Sequence, residues 1–395
     1  MGYENNLLIS NKIFLQWYYM KNFHHPFQFI LLVSFLLSCD YVSSQQLPSR
    51  NEANGLRLKK YTYIDLQGTG IEAFSFLMPS DWEFEGGMQW ILDNPAMPSV
   101  TAFNVYNPNG KEQFEVFPNH CFFWSSNQQL LNMFPPGSRY FGSIVMQPVS
   151  AQMALRNIIL PEQRNGFSGL KVIKDENVPE LPKALGVGQQ TQGYLSPEAT
   201  GAKLRVSYIK DGATLEEEFY AVVETISFPV QSMYGTFYNT IWYIDYIFSF
   251  KAEKGKLESN TKIFQTITSS FKLNPQWYAK YSNVIEYLAQ QKISQIKSVG
   301  EFSRMLSRMS DQMSEEKMQQ FKARGDVYDE VSQKFSDNTL GIERYYDPHE
   351  GREVELPSGY NHVWSNNNGE YILNDNPNFN PNTDSNLHWE PLKKK

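Results

Sequence analysis

The rhythm of apolar and polar positions changes several times along this chain. Residues 30–37 are an apolar run interrupted only by Ser34. Residues 40–60 have few apolar positions and no period, which predicts a tether without packed structure. From Tyr61 onward the chain is aromatic and strand-like. Residues 73–78 predict a strand stopped by Pro79. Residues 100–106 and 113–117 flank Asn107-Pro108-Asn109-Gly110, as in a hairpin. Val149, Met153, Arg156 and Leu160 recur on one side of a helix that Pro161 is expected to end. Leu204, Val206 and Tyr208 then alternate with Lys203, Arg205 and Ser207. After the turn at Asp211-Gly212, residues 219–228 return and residues 237–250 add a third strand of a meander. Strict period two puts Trp242, Ile244, Tyr246, Phe248 and Phe250 on one face of that strand. It leaves Ile241, Tyr243, Asp245, Ile247 and Ser249 on the other. Residues 257–271 predict a helix, with Ile263, Ile267 and Phe271 at i, i+4 and i+8.

Residues 276–334 predict amphipathic helices, with Val284, Ile285 and Leu288 in one and Phe302, Met305, Leu306, Met309 and Met313 in another. Residues 335–395 are rich in Asn, Pro and aromatic side chains. Val354, Leu356, Tyr360, Val363, Trp364, Tyr371, Ile372 and Leu373 are too many large apolar groups to leave in water. This tail is therefore expected to be ordered by docking on the helical segment or the main domain. The fold class predicted is α+β. Residues 61–275 form an antiparallel sheet with flanking helices, 276–334 a helical segment, and 335–395 a tail of loops and short strands.

The run at residues 30–37 is too short to span a bilayer, which takes about 20 apolar residues. With Lys21 before it and Ser38 after it, residues 1–38 read as an export signal, one of ordinary length if translation starts at Met20. Leu36-Leu37-Ser38-Cys39 resembles the bacterial lipobox. The resemblance implies cleavage before Cys39 and a lipid on its thiol, with residues 39–60 as the tether. Of the two cysteines, only Cys121 then remains. It lies in His120-Cys121-Phe122-Phe123-Trp124, the setting of a buried structural thiol rather than a reactive one. The net charge of −7 speaks against nucleic acid as a partner and against attachment through a polybasic surface. Anchoring to a membrane would fall to the acyl chains.

The sequence carries no recognised catalytic or cofactor motif. The histidines lack metalloprotease spacing, and there is no Gly-x-Ser-x-Gly elbow or phosphate-binding Gly-rich loop. Asn374, Asp375, Asn376, Asn378, Asn380 and Asn382 offer oxygen atoms of the kind calcium takes, yet Asn also simply favours turns. Met305, Met309 and Met313 read as a packing stripe. No cofactor and no metal are predicted.

Phe74-Ser75-Phe76-Leu77-Met78-Pro79-Ser80-Asp81-Trp82 and Thr266-Ile267-Thr268-Ser269-Ser270-Phe271 resemble the ends of the PsbP-like α+β fold, which includes the lipid-anchored DcrB-type proteins. The tail is similar to tails of bacterial proteins of uncharacterised function. Its signature runs Glu355-Leu356-Pro357-Ser358-Gly359-Tyr360, then Trp364, then Gly369-Glu370-Tyr371-Ile372-Leu373, then Asn380-Pro381-Asn382. The resemblance implies a fold and an envelope setting. Most PsbP-like proteins bind or assist other proteins. The leading expectation is a membrane-tethered, non-catalytic binding or accessory module for an envelope protein or a small ligand, with His362 and Trp364 as binding candidates. The alternative is a hydrolase of envelope polymers, with a site built from scattered carboxylates and His362.

Overall fold

The computed structural model describes residues 55–91, 97–184, 187, 197–233, 235–289, 342–383 and 385–395. The export signal, Cys39 and most of the helical segment lie outside the described residues.

Among the described residues the strands form three sheets. The largest has ten strands. On its main path β3 (Glu83–Trp90), β4 (Ser99–Tyr106) and β5 (Gln113–Val116) lead to β12 (Gly235–Glu253), β11 (Ala213–Ser232), β10 (Glu198–Lys210) and β9 (Ser168–Asn177). Beyond the end of β5, β6 (His120–Ser125) takes its place beside β12, and β7 (Arg139–Tyr140) and β8 (Ser143–Val145) follow. A second, six-stranded sheet joins both ends of the described chain. Its order is β13 (Lys272–Leu273), β2 (Glu72–Pro79), β1 (Leu56–Ile64), β17 (Glu370–Asn374), β16 (His362–Asn366) and β18 (Trp389–Pro391). The third comprises β15 (Arg352–Pro357), β14 (Ile342–Asp347) and β19 (Lys393–Lys394). Helices are few: α1 (Gln128–Met133), α2 (Ala151–Ala154), α3 (Leu160–Arg164), α4 (Glu180–Ala184), α5 (Thr261–Ser269) and α6 (Pro275–Ala289). The class is α+β, dominated by antiparallel sheet.

The apolar faces sort these elements into layers. The principal core lies between the first two sheets: Phe74, Phe76 and Met78 of β2 meet Phe103, Phe114, Phe248 and Phe250. Phe264, Ile267 and Phe271 close it from α5 and the turn after it, and Trp277 and Tyr281 from α6. A second core fills the far side of the ten-stranded sheet, where Leu204, Val206, Phe219, Trp242 and Ile244 pack on Ala151, Leu155 and Ile159. On the outer side of the six-stranded sheet, Leu58 and Leu77 pack with Tyr345, Leu356, Val363, Tyr371 and Leu373. β2 is covered on both faces, which is why its sequence is almost continuously apolar.

Three expectations need correction. Residues 56–60, assigned to the tether, belong to β1, because their backbone pairs with β2 and β17 on either side. Pro161 does not end its helix. The turn before it, Leu155–Ile159, is a π-turn, in which Leu160 N–H reaches back to Leu155 O, and α3 continues to Arg164. The wider turn accommodates a residue that has no N–H and whose ring crowds the preceding turn. Finally, β12 does not keep one face. Its register against β11 shifts where Tyr220 pairs with Phe248 but Val222 with Asp245, an extra residue accommodated by Tyr246 at φ 53°. Trp242 and Ile244 therefore face the second core, whereas Tyr246, Phe248 and Phe250 face the principal one.

Candidate functional site

The two binding candidates from the tail stand on β16. His362 pairs across the ladder with Asn374, and Trp364 with Ile372 on one side and Pro391 on the other. Both rings are half-buried, on the face opposite the buried Val363 and Ser365. The acid next to Asn374, Asp375, accepts hydrogen bonds from the backbone N–H and side-chain amide of Asn361. His362 and Trp364 are thus brought onto one strand face, but among the described residues neither ring is hydrogen-bonded or ion-paired to a carboxylate. The Asn-rich run after them is used locally. Asn374, Asn376 and Asn380 each accept from a backbone N–H two residues on. The side chain of Asn382 brackets the backbone N–H and carbonyl of Trp389. These oxygens stabilise turns. Among the described residues no group of His, Cys, Asp and Glu is arranged to hold a metal ion.

Three buried carboxylates act as structural ties. Asp65 accepts from Gly68 N–H at 3.0 Å, Thr69 N–H at 2.9 Å, Thr69 Oγ1 at 3.1 Å and the indole N–H groups of Trp90 and Trp277 at 3.2 and 2.9 Å. It thereby fastens the turn after β1 to β3 and α6. A Cβ on Gly68 would lie 2.1 Å from the Trp90 indole nitrogen, so only glycine fits there. Glu217 on β11 accepts from Arg164 Nε and Nη2 at 2.8 and 2.6 Å, from Tyr208 Oη at 2.6 Å and from Ser249 Oγ at 2.6 Å. Burial alone would push this carboxyl up, but Arg164, Lys251 and the Ser249 hydroxyl hold it below its ordinary range. Arg164 also reaches Glu115 at 2.5 Å and packs over Phe117 and Phe219. In the tail, Asp347 accepts from His349 N–H at 2.9 Å, Ser365 Oγ at 3.3 Å and Tyr371 Oη at 2.6 Å.

Asp245 is different. It sits in the β12 bulge, is 4% exposed, and accepts no hydrogen bond among the described residues. Burial pushes its carboxyl well above the usual carboxylate range, and neighbouring Glu224 adds to the shift. Around it lies a polar patch in an apolar face. Tyr243 pairs with Glu224 on β11 and with Cys121 on β6. Burial raises the Tyr243 hydroxyl well above its ordinary range, and the neighbouring Cys121 and Asp245 add to the shift. Cys121 Sγ lies 3.2 Å from Ser143 Oγ, and burial pushes the thiol up to about 12. Tyr281 of α6 closes the patch beside Trp90, their rings 5.9 Å apart. His120, next in sequence to Cys121, belongs to the opposite face, with its Nε2 3.4 Å from Glu162. The arrangement offers a carboxyl biased toward its protonated form and phenols as hydrogen-bond donors. It offers no thiolate and no imidazole to generate one. Asp245 escaped the sequence reading because strict alternation set it on an ordinary face. The signal was available: an acid inside a strand with no Lys or Arg from Thr225 to Ser249.

No family model matches the chain, and no curated protein matches it. Among solved structures, LpqN, described as involved in cell envelope biogenesis of Mycobacterium tuberculosis, is similar at 11% identity with a TM-score of 0.21. The match covers 55% of this chain and 92% of that one. A likeness this remote fixes neither fold nor activity. No helix among the described residues is long and apolar enough to cross a membrane.

Proposed function

We propose that the chain is a lipid-anchored protein of the bacterial cell envelope that serves as a non-catalytic binding or accessory module. Its leader would be residues 1–38 with Met20 as the start, its anchor Cys39, and its folded part PsbP-like. The partner would be an envelope protein or a small ligand. One observation carries the non-catalytic reading: Asp65, Glu217 and Asp347 are committed to holding elements together, and Asp245, which is not, is buried. Asp65, Glu217 and Asp347 accept from tryptophan, arginine, tyrosine and backbone donors instead of facing a cleft. A hydrolase built around His362 gains no support from the carboxylates nearest it.

Two measurements test the proposal. The chain, produced in a bacterium fed an alkyne fatty acid, should be labelled, and Cys39→Ala should remain uncleaved and unlabelled; equal labelling of that variant overturns the anchor. Photocrosslinking from His362 and Trp364 positions in native membranes should capture one defined envelope protein or small molecule. Release of soluble fragments from purified envelope polymers by the pure chain, lost in His362→Ala, would overturn the non-catalytic reading.

A further inference from the structure

Strand register gathers an unassigned set of polar groups on the sheet face that carries His362 and Trp364. Residues paired across a ladder share a face. Arg57 on β1 stands opposite Ile372 on β17, Ile372 opposite Trp364 on β16, and Trp364 opposite Pro391 on β18. His362 and Asn374 are paired two positions further along β16 and β17, and so lie on the same face. The floor of this surface is buried and its rim is open. Ile372 and Asn374 are each 1% exposed, His362 and Trp364 are half-buried, and Arg57 and Pro391 are exposed.

The groups on this face are donors without acceptors. Trp364 Nε1 and Asn374 Nδ2 are shielded from solvent, and neither has a hydrogen-bond partner. A buried donor left unpaired is costly, so two of them on adjacent strands of one face call for acceptors from outside the fold. Asn374 Oδ1 already accepts from Asn376 N–H at 2.7 Å, which leaves Nδ2 as the open end of that amide. Arg57 makes no ion pair among the described residues. The carboxylates nearby are engaged. Glu370, in the next row, accepts from Asn366 Nδ2 at 2.6 Å, and Asp375 accepts from Asn361 N–H at 2.8 Å. Glu390 pairs with Ser365, and Asp347 accepts from Ser365 and Tyr371, on the opposite face. The other cation of the face, Lys59, donates to Trp82 O at 3.0 Å.

We propose that this face binds a carboxylated sugar. Its carboxylate lies on Arg57, its hydroxyl oxygens accept from Trp364 Nε1 and Asn374 Nδ2, and its ring rests on the Trp364 indole. The inference rests on the reading of His362 and Trp364 as a binding surface, and it names the class of small ligand. One unpaired guanidinium among neutral donors matches a single negative charge. A phosphate, with nearly two, calls for several cations. An indole has an apolar face and a polar edge, and a sugar meets both, through its C–H side and its hydroxyls. Entry of the ligand turns the half-buried rings of His362 and Trp364 and uncovers the two donors.

The test is a titration followed at the Trp364 indole. The full chain, labelled with nitrogen-15 at its tryptophans and held in detergent micelles, gives an indole N–H signal for each. The signal missing from Trp364→Phe is that of Trp364. Glucuronic acid should shift this signal saturably. Arg57→Gln, at an exposed position, should keep the other indole signals in place and weaken binding at least about tenfold, as for loss of one charge-assisted pair. Glucose and acetate, each with half of the chemistry, should also bind at least about tenfold more weakly than glucuronic acid. A Trp364 signal that glucuronic acid leaves unmoved overturns the proposal, and so does equal affinity of Arg57→Gln. Tighter binding of glucose 6-phosphate overturns the single-charge argument and with it the ligand class. A cross-peak from the indole to long-lived water, without response to glucuronic acid, would make ordered water the acceptor and overturn it too. If glucuronic acid fails while photocrosslinking from His362 and Trp364 still captures an envelope protein, the binding surface stands and only its sugar ligand falls.

Discussion

Two buried acids on adjacent strands respond to pH with opposite sign. Glu217 is held below its ordinary range in the folded chain, so its contribution to stability is present above the unfolded carboxyl range, about 4.3, and is lost as pH falls through the folded value. Asp245 is raised. Above about pH 4 the unfolded chain releases this proton while the folded chain keeps it, so stability falls as pH rises toward the folded value. Asp245→Asn should therefore stabilise the protein at neutral pH and flatten that fall in urea titrations taken at a series of pH values. An unchanged slope would show that Asp245 is not buried as an acid. Glu217→Gln should instead destabilise by about 3 kcal/mol, because the buried Arg164 then keeps only Glu115 as a counter-charge. Chemical denaturation at pH 7 measures it; a loss below about 1 kcal/mol would mean the network is more hydrated than its geometry indicates. None of these partners was legible in sequence. Arg164 and Glu217 are 53 positions apart, and only the fold brings them to 2.6 Å.

At the scale of elements, the strands and turns of the hairpins were legible because period-two patterning and turn residues are local. The meander, the turn at Asp211-Gly212 and the hairpin at residues 107–110 follow from such signals. What failed was strict periodicity where the backbone departs from it. One extra residue in β12 and one wide turn before Pro161 cost nothing visible in the apolar pattern, yet the first exchanges the faces of the strand. The bulge has an energetic consequence. Trp242 and Phe248 look like same-face neighbours in sequence but belong to separate cores. Trp242→Ala and Phe248→Ala should each cost about 3–5 kcal/mol, and the double variant should equal their sum within about 0.5 kcal/mol. Phe248 and Tyr220, stacked at 5.0 Å, should deviate clearly from additivity in the same cycle. Coupling between Trp242 and Phe248 as large as that of Phe248 with Tyr220 would place them on one face after all.

At the scale of the whole molecule, the tail supplies strands to the sheet that the first described strand opens. Its apolar content, from Val354 to Leu373, signals in sequence that it must be covered. That Tyr371 would lie opposite Leu58, more than 300 positions away, has no local signature. β1 lies between β2 and β17, so removing the tail opens an edge along β1. Leu58 and Leu77, 1% and 4% exposed, would at the same time lose the cover of Tyr371, Leu373 and Leu356. An open strand edge beside newly bared leucines is a template for association. Deleting residues 342–395 should therefore give species larger than the parent's, oligomers or aggregate, in sedimentation velocity and lower the melting temperature. Leu373→Ala in the intact chain isolates the packing part of that effect. It should cost about 2–5 kcal/mol, as for a fully buried leucine whose site cannot collapse. It should leave the β1–β17 ladder intact, because the backbone is unchanged. If the deleted chain keeps the association state and the melting temperature of the parent, the tail is an appendage and the six-stranded sheet is not the unit that folds. If it aggregates while Leu373→Ala is neutral, the edge rather than the buried leucines is what the tail protects.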